Sequence, residues 1–346
     1  MTETMQRIAL ARRPMGAPVD DDFLLENIPM PTPAEGEVLV KVHYMSLDPY
    51  MRGRMDDAKS YANPAPLGGT MEGGGVGQIV ASNAADYAVG DYVFGMLGWA
   101  SHACLKAKEL QKLNPKLAPI TTALGVLGMP GFTGWYGLIE LGRPKAGETL
   151  VVAAATGPVG SMVGQVAKAR GLRTVGIAGG AKKCALAVDK FGFDVCLDHT
   201  KYADGKAMRA AIAEHCPKGV DIYFENVAGK IFEGVLPLMN VGGRIPLCGL
   251  ISWYNAGALG ANAGGEKDNL PKLWRTILVN RLSVNGFIIS DHWDRYGDFL
   301  RDVGPMLAKG QIAYQEDITE GLENAPRAFM GLLTGENFGK QIVKVN

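Results

Sequence analysis

Residues 149–164 read Thr-Leu-Val-Val-Ala-Ala-Ala-Thr-Gly-Pro-Val-Gly-Ser-Met-Val-Gly and join an apolar run to a helical pattern. At the junction, residues 155–160 have the spacing of a Gly-x-Gly-x-x-Gly turn with alanine in place of the first glycine. Glycines there let backbone N–H groups approach a pyrophosphate, and the N-terminus of the following helix adds partial positive charge. The segment therefore predicts a dinucleotide-binding turn whose candidate contacts are Thr156, Gly157, Pro158, Val159 and Gly160.

Beyond this turn, short apolar runs alternate with longer helical patterns. The predicted strands are 149–155, 174–178, 195–198, 220–227, 244–248 and 282–289. The predicted helices are 158–170, 181–191, 201–215, 230–239 and 272–280. This alternation is typical of an α/β fold, a doubly wound (Rossmann) sheet of about six parallel strands.

The first ~120 residues have a different pattern, with short β-rich runs broken by glycine and proline. The predicted strands are 37–42, 74–80, 92–96 and 102–106, which indicate a mostly antiparallel β domain. The run 341–345 is too short to stand alone and is expected to join one of the two sheets, without the pattern deciding which.

Composition excludes several classes of protein. Among 346 residues, 35 Lys and Arg balance 35 Asp and Glu, so no excess positive charge favours nucleic acid or an anionic membrane. The uncharged stretches 118–139 and 149–166 contain prolines and glycines that disfavour membrane-spanning helices. Five scattered cysteines without a Cys-x-x-Cys pair and an N-terminus without a secretory apolar run fit a reducing, cytoplasmic location.

The end of the second predicted strand indicates which dinucleotide binds. An Asp or Glu there would hold a free ribose 2′-hydroxyl. Residues 179–183 read Gly-Gly-Ala-Lys-Lys instead, and a 2′-phosphate would gain charge-assisted hydrogen bonds from such lysines. The alternative is that Lys182 and Lys183 merely solvate the first turn of a helix. We favour NADPH, with Gly179 and one lysine as contacts.

Several blocks, in this order, resemble those of a known family. They are Ser46-Leu-Asp-Pro-Tyr-Met-Arg52, Leu127-Gly-Met-Pro-Gly-Phe-Thr133, the turn at 155–160, Tyr223-Phe-Glu-Asn-Val227, Cys248-Gly-Leu-Ile-Ser-Trp-Tyr-Asn255 and Gly335-Glu-Asn-Phe-Gly-Lys340. The chain is similar over nearly its whole length to the zinc-independent medium-chain dehydrogenase/reductase superfamily, and more closely to its NADPH-dependent alkenal/enone reductases, the group of leukotriene B4 12-hydroxydehydrogenase/prostaglandin reductase and curcumin reductase.

This resemblance implies the domain organisation. It predicts a GroES-like catalytic domain formed by residues 1–125 and 298–346 and an inserted Rossmann domain at 126–297, with the cofactor between them. It also implies a homodimer, for which an exposed apolar edge at 282–289 gives some physical support.

Further cofactor contacts follow from the resemblance alone. It selects Lys183 as the phosphate-binding lysine, and it places His199 where family members often carry a tyrosine near the 2′-phosphate. It also implies contacts at Met129, Thr133, Asn226, Cys248, Phe287 and Asn337. Core packing is the alternative for Met129, and turn formation is the alternative for the two asparagines.

No metal site is expected. Zinc-dependent relatives carry an early Cys and a Gly-His-Glu, whereas the corresponding regions here, 45–48 and 69–72, read Met-Ser-Leu-Asp and Gly-Thr-Met-Glu. A catalytic zinc needs about three protein ligands, and the first domain lacks a suitable Cys-His set. His43 and His102 are interpreted as strand residues.

Without a metal, another group must stabilise developing negative charge. Hydride attack on the β-carbon of an enone leaves that charge on an enolate oxygen, which a few hydrogen-bond donors can stabilise. Tyr254, in the loop after the fifth Rossmann strand, is the leading donor, and Tyr50 is a weaker candidate. The glycine-rich segment 256–265 is interpreted as a lid over the substrate.

The sequence thus predicts an NADPH-dependent reductase of the carbon–carbon double bond in α,β-unsaturated ketones and aldehydes, with a small-molecule enone or enal as its partner. A quinone oxidoreductase on the same scaffold and a non-catalytic NADPH-binding protein remain the alternatives.

Overall fold

The computed structural model describes residues 3–263 and 269–345, which form two compact units. The first unit comprises Met1–Gly128, Tyr254–Leu259 and Glu316–Asn346, and the second comprises Met129–Trp253 and Gly260–Gln315. Gly264 and Gly265, part of the segment interpreted as a lid, lie outside the described residues.

The strands and helices are numbered in chain order. The strands are β1 Thr4–Leu10, β2 Phe23–Pro29, β3 Glu37–Ser46, β4 Gly75–Ser82, β5 Tyr92–Gly95, β6 His102–Lys106, β7 Gln111–Leu113, β8 Thr149–Ala153, β9 Arg173–Ala178, β10 Val195–Asp198, β11 Val220–Phe224, β12 Met239–Leu247, β13 Ser283–Gly286, β14 Glu316–Glu320 and β15 Lys340–Lys344. The α-helices are α1 Tyr50–Arg54, α2 Met129–Tyr136, α3 Pro158–Ala169, α4 Ala181–Asp189, α5 Gly205–His215, α6 Gly229–Val235, α7 Leu270–Asn280, α8 Tyr296–Ala308 and α9 Ala325–Thr334.

The second unit contains a six-stranded sheet in the order β10-β9-β8-β11-β12-β13. Every neighbouring pair is parallel, so the prediction of a doubly wound parallel sheet is confirmed. The chain starts at β8, adds β9 and β10 on one side and then returns to place β11, β12 and β13 on the other. All five residues of β8 are buried, because helices cover both faces of such a sheet.

The first unit contains a seven-stranded sheet in the order β14-β15-β3-β4-β5-β7, with β6 also paired to β3. Its pairs are antiparallel except β14 with β15, as the sequence predicted. The C-terminal strand joins this sheet between β14 and β3. The core between these elements includes Val40, Met45, Trp99, Phe329 and Val343.

The return of the chain to the first unit comes later than the sequence-based boundary at residue 298. Residues 298–315 lie in the second unit, because α8 packs its apolar side against aromatic residues of α2. The ring of Phe299 lies 5.7 Å from that of Phe132 and 6.0 Å from that of Trp135. The indole N–H of Trp135 also donates to Asp302 Oδ2 at 2.7 Å.

Within the described residues, no helix combines the length and apolar character needed to cross a bilayer.

Candidate active site

The six parallel strands of the second unit all end next to predicted cofactor residues. Parallel strands have their carboxyl ends at one edge of the sheet, and ligands bind outside that edge where the strand order reverses, here between β8 and β11. The residues that follow the strands are Thr156–Gly160 after β8, Gly179 after β9, His199 after β10, Asn226 after β11, Cys248 after β12 and Phe287 after β13. The fold therefore aligns them along the edge where a dinucleotide would bind.

The turn between β8 and α3 is built for close backbone approach. Ala154 reverses the chain with φ of 54°, Gly157 caps α3, and Pro158 fills its first turn. A Cβ on Gly160 would lie 2.3 Å from the carbonyl oxygen of Ala154, so another residue there would push the helix away from the strand. The first N–H groups of a helix have no partner within it, so this helix end fits a pyrophosphate.

The alanine in place of the first motif glycine has a local explanation. Ala155 is fully buried, and its methyl group lies 2.8 Å from where a Cβ on Gly176 of β9 would stand. A glycine on the neighbouring strand therefore leaves room for the methyl group of Ala155.

The turn between β9 and α4 places the predicted phosphate-binding residues together. Lys183 is half-buried on α4, whereas Lys182 is exposed. The His199 ring packs onto the turn, since a Cβ on Gly179 would lie 3.2 Å from its Nε2. The buried Nδ1 atom of His199 has no hydrogen-bond partner among the described residues. Burial and the nearby Lys230 and Lys183 charges lower the pKa of His199, against an opposing effect of Asp198.

A carboxylate that sequence reasoning missed borders this turn. Asp198 Oδ1 accepts hydrogen bonds from the N–H groups of Gly180 at 2.8 Å and Thr200 at 3.1 Å, and from the Thr200 hydroxyl at 2.7 Å. Partial burial opposes ionisation, but these hydrogen bonds and Lys201 leave the Asp198 pKa below its usual value. Asp198 therefore shapes the turn. The local sequence does not indicate its bond to Gly180, because these two residues lie 18 positions apart.

Asn226 and its neighbour Glu225 directly follow β11. The Asn226 amide donates to the carbonyl oxygen of Ala153 at 2.8 Å, joining the carboxyl ends of β11 and β8. Buried Glu225 accepts from the N–H groups of Val227 at 2.6 Å and Ala228 at 2.8 Å. Burial raises the pKa of Glu225 despite these hydrogen bonds. The signal that could have identified it is an acid directly after the buried apolar run 222–224.

Two further predicted contacts lie on α2. The Thr133 hydroxyl donates to the Met129 carbonyl oxygen at 2.7 Å, one helical turn earlier. Phe287 packs near this region, with its ring 5.8 Å from that of Tyr136. Burial raises the pKa of the Cys248 thiol to about 12, so this thiol is protonated at neutral pH.

The remaining predicted residues, Tyr50, Tyr254 and Asn337, belong to the first unit. Burial, followed by the Asp48 charge, raises the pKa of Tyr50, so its phenol remains a hydrogen-bond donor at neutral pH. The Asn337 amide donates to the Gly339 carbonyl oxygen at 2.7 Å, which matches the turn-forming alternative for this residue. Its role toward a cofactor stays a prediction.

A buried ion pair that the sequence did not predict joins Lys340 to Asp48, two residues before Tyr50. Lys340 Nζ donates to Asp48 Oδ1 at 3.0 Å and to the Leu47 carbonyl oxygen at 2.7 Å, and the Ser46 hydroxyl donates to Asp48. Burial lowers the pKa of Lys340, and Asp48 opposes that effect. The pair joins two of the blocks on which the resemblance rests.

Comparison with known proteins identifies the family. Residues 6–113 match the profile described as N-terminal domain of oxidoreductase, and residues 158–303 match that described as Zinc-binding dehydrogenase. NADPH-dependent curcumin reductase of Escherichia coli K12 is 51% identical over 341 residues, covering 98% of this chain and 96% of the relative. The chain belongs to the medium-chain dehydrogenase/reductase superfamily.

Two other members of the medium-chain dehydrogenase/reductase superfamily are similar over nearly the full length. The 2-alkenal reductase (NADP(+)-dependent) of Nicotiana tabacum is 37% identical, with 99% of this chain and 97% of the relative covered. The crystal structure of CurA from Vibrio vulnificus in complex with NADPH superimposes with a TM-score of 0.93 at 51% identity, with 99% of each chain covered.

Some members of this superfamily bind zinc, as the second profile's description indicates. Among residues 3–263 and 269–345, no group of three or more His, Cys, Asp or Glu side chains is arranged to hold a metal ion. In the region that corresponds to the early cysteine, Asp48 instead accepts hydrogen bonds from the Ser46 hydroxyl and from Lys340.

Proposed function

We propose that this chain reduces the carbon–carbon double bond of α,β-unsaturated ketones and aldehydes with NADPH, without a metal. The observation that carries the proposal is the row of predicted cofactor residues along the carboxyl ends of all six parallel strands. The names of the curcumin and 2-alkenal reductases support the substrate class, and the NADPH-bound CurA structure supports the cofactor.

The second unit acts as the dinucleotide-binding domain. The N-terminus of α3 binds the pyrophosphate through backbone N–H groups, and Lys183 and His199 bind the 2′-phosphate. The nicotinamide and its ribose are surrounded by Asn226, Cys248, Phe287, Met129 and Thr133. The absence of a carboxylate from residues 179–183 removes the group that would select NADH.

The first unit acts as the GroES-like catalytic domain, to which Tyr50, Tyr254 and Asn337 belong. When bound, NADPH would supply a hydride to the β-carbon of the substrate, and protonation of the resulting enolate at its α-carbon by solvent would complete the reduction. The Tyr254 hydroxyl donates a hydrogen bond to the carbonyl oxygen as negative charge develops on it, which stabilises the enolate. Tyr50 is the second candidate donor, and its raised pKa keeps its proton in place.

The test of this proposal measures NADPH oxidation with medium-chain 2-alkenones, with quinones and without an acceptor. We expect turnover with alkenones, NADPH strongly preferred over NADH, and full activity after prolonged chelator treatment. Turnover only with quinones would favour the quinone oxidoreductase alternative, and binding without any turnover would favour the non-catalytic one.

The role of Tyr254 is tested by Tyr254→Phe, which removes the hydroxyl and keeps the ring. Loss of a donor that acts in the transition state should lower kcat by about 10- to 1,000-fold. The matched variant Tyr50→Phe is expected to have the smaller effect. A change in KM alone for Tyr254→Phe would mean that this residue only shapes the pocket.

The proposed setting is the cytoplasm, and the proposed assembly is a homodimer. The five cysteines are free thiols, which fits a reducing compartment. Strand β13 is an edge of its sheet, and an exposed edge favours association with a second copy.

A further inference from the structure

The segment that begins at Tyr254 is hydrogen-bonded to the side chain of Asp56 in the first unit. Tyr254–Leu259 groups with the first unit, whereas the residues on either side belong to the second. Within this segment, the backbone N–H of Ala258 donates to Asp56 Oδ2 at 2.9 Å. The contact joins residues 202 positions apart, so it fixes the segment relative to α1 rather than within its own loop.

Asp56 is itself fixed by a buried arginine. Arg52 Nη1 donates to Asp56 Oδ1 at 2.6 Å, and the two side chains are 1% and 12% exposed. Arg52 Nη2 also donates to the Gly16 carbonyl oxygen at 2.8 Å. The two carboxylate oxygens of Asp56 therefore accept from different partners: Oδ1 from Arg52 and Oδ2 from the Ala258 N–H.

The tether acts close to Tyr254. The N–H of Gly257 donates to the Tyr254 carbonyl oxygen at 3.2 Å, so a tight turn links Tyr254 to the tethered residue. Gly257 and Ala258 both have positive φ, 86° and 48°. Such a backbone is disfavoured for alanine, which indicates that an outside contact holds Ala258 in place.

We propose that Asp56 is a positioning residue that holds the Tyr254 segment in its working conformation. This inference rests on the proposed function, because it assigns Asp56 a role through the Tyr254 hydroxyl. Asp56 touches neither substrate nor cofactor in this scheme. A donor misplaced by about 1 Å can lose about 100-fold in rate, so one backbone hydrogen bond is sufficient to matter.

The alternative is that Asp56 only balances the buried charge of Arg52. Asp56→Asn separates the two roles. The amide oxygen can still accept from Arg52, whose charged donor makes the stronger hydrogen bond. The amide NH₂ group then faces the Ala258 N–H, and two donors cannot form a hydrogen bond with each other. Asp57→Asn is the matched control, since Asp57 is the adjacent aspartate and is exposed.

The experiment measures kcat, KM for NADPH, thermal stability and hydrogen exchange of the 254–259 amides in the full-length protein. For Asp56→Asn we expect faster exchange in this segment, kcat lowered by roughly 5- to 100-fold and unchanged KM for NADPH. Asp57→Asn should behave like the wild type. In a Tyr254→Phe background, Asp56→Asn should lower kcat by no more than about twofold.

Two results would overturn the inference. Equal exchange of the 254–259 amides in Asp56→Asn and Asp57→Asn would show that Asp56 does not hold the segment. An equal loss of kcat in the presence and absence of the Tyr254 hydroxyl would show that Asp56 acts through another group. If Tyr254→Phe alone leaves kcat unchanged, the proposed role of Tyr254 is wrong. The positioning role of Asp56 is then wrong as well, even if hydrogen exchange of the 254–259 amides is faster in Asp56→Asn. Normal turnover of NADPH in that case would still support the reductase function.

Discussion

Lys183 and Lys182 are neighbours in sequence but lie in different environments, and this difference makes a matched test of cofactor choice. Lys183 is half-buried beside the turn that carries Gly179, whereas Lys182 is exposed. A charge-assisted hydrogen bond contributes about 1.5–3 kcal/mol, or roughly 10- to 150-fold in affinity. Lys183→Ala should raise KM for NADPH by a factor in that range and leave KM for NADH nearly constant, with a smaller effect at high salt.

Lys182→Ala is the control and should change KM for NADPH much less. Equal losses for NADH and NADPH in Lys183→Ala would instead mean that the lysine supports α4. A wild-type preference for NADH would contradict the interpretation of the whole turn.

His199 should make NADPH affinity depend on pH. In the free protein its pKa is lowered, chiefly by burial and then by Lys230 and Lys183, so the ring is neutral near pH 7. A bound phosphate dianion favours the protonated ring and therefore raises this pKa. As pH falls from about 8 to about 6, the complex takes up a proton and the Kd for NADPH should decrease relative to that of His199→Tyr.

The comparison with His199→Tyr is needed because the phosphate itself titrates near pH 6, equally in both proteins. Calorimetry in buffers of different ionisation enthalpy measures the proton uptake directly. The same pH dependence of NADPH binding in both proteins would show that His199 does not face the phosphate.

At the residue scale, the sequence could predict side chains whose proposed roles depend on their neighbours along the chain. The glycines of the α3 turn and the lysines after β9 are of this kind. Asp198 and Asp56 were missed, because each accepts a hydrogen bond from a backbone N–H that only the fold brings close. A carboxylate that binds a backbone N–H leaves no periodic signal in sequence.

Helix α3 depends on a glycine that faces an aromatic ring. A Cβ on Gly164 would lie 2.0 Å from Phe193 Cζ, and the same ring lies against Gly176 of β9. Gly164→Ala should therefore destabilise the protein by about 1–3 kcal/mol through overpacking, measured by denaturant unfolding. It should also weaken NADPH binding, because a displaced α3 moves the pyrophosphate turn.

Gly297→Ala, in the first turn of α8, is the matched control. The nearest atom to its added Cβ is the end of the flexible Arg301 side chain, 3.3 Å away. There alanine should be neutral or stabilise by up to about 1 kcal/mol. A Gly164→Ala protein as stable as the control would show that Phe193 moves aside at no cost.

At the element scale, the six parallel strands and their helices follow the predicted order, because a buried parallel strand is a nearly continuous apolar run. The predicted and observed strand ends differ where backbone geometry ends a strand. Strand β8 was predicted to reach residue 155, but it ends at Ala153 because Ala154 adopts positive φ. Strands β1 and β2 were not predicted. Their residues pair antiparallel from Thr4 with Pro29 to Leu10 with Phe23. The exposed Leu24 and Leu25 interrupt the alternation of apolar and polar residues in β2.

For the whole molecule, the sequence predicted two domains with the second inserted into the first. In the structure, residues 3–128 and 316–345 belong to one unit and α8 belongs to the other. That assignment depends on contacts between Phe299 and Phe132, which lie 167 positions apart in sequence and cannot be inferred from either segment alone. Boundaries of inserted domains are therefore less predictable than the elements inside them.

Two surfaces of the second unit should form the interface of a homodimer. Edge strand β13 exposes 42% of Val284. Helix α7, whose chain leads directly into β13, exposes a stripe of Leu270, Trp274 and Leu278, which are 53%, 62% and 77% exposed. Residues four apart lie on one face of a helix, so the stripe is continuous, and a twofold partner would cover it and the strand edge together.

We therefore expect sedimentation at micromolar concentration to give twice the 36.8 kDa chain mass. Trp274→Glu places a charge in the proposed interface and should shift the protein toward monomer. Leu117→Glu is the matched control, since Leu117 is 83% exposed and lies in the first unit; that variant should remain dimeric. A monomeric wild type would refute the dimer. A dimer equally resistant to both substitutions would mean that the copies associate through another surface, and the exposed stripe on α7 would then need a different partner.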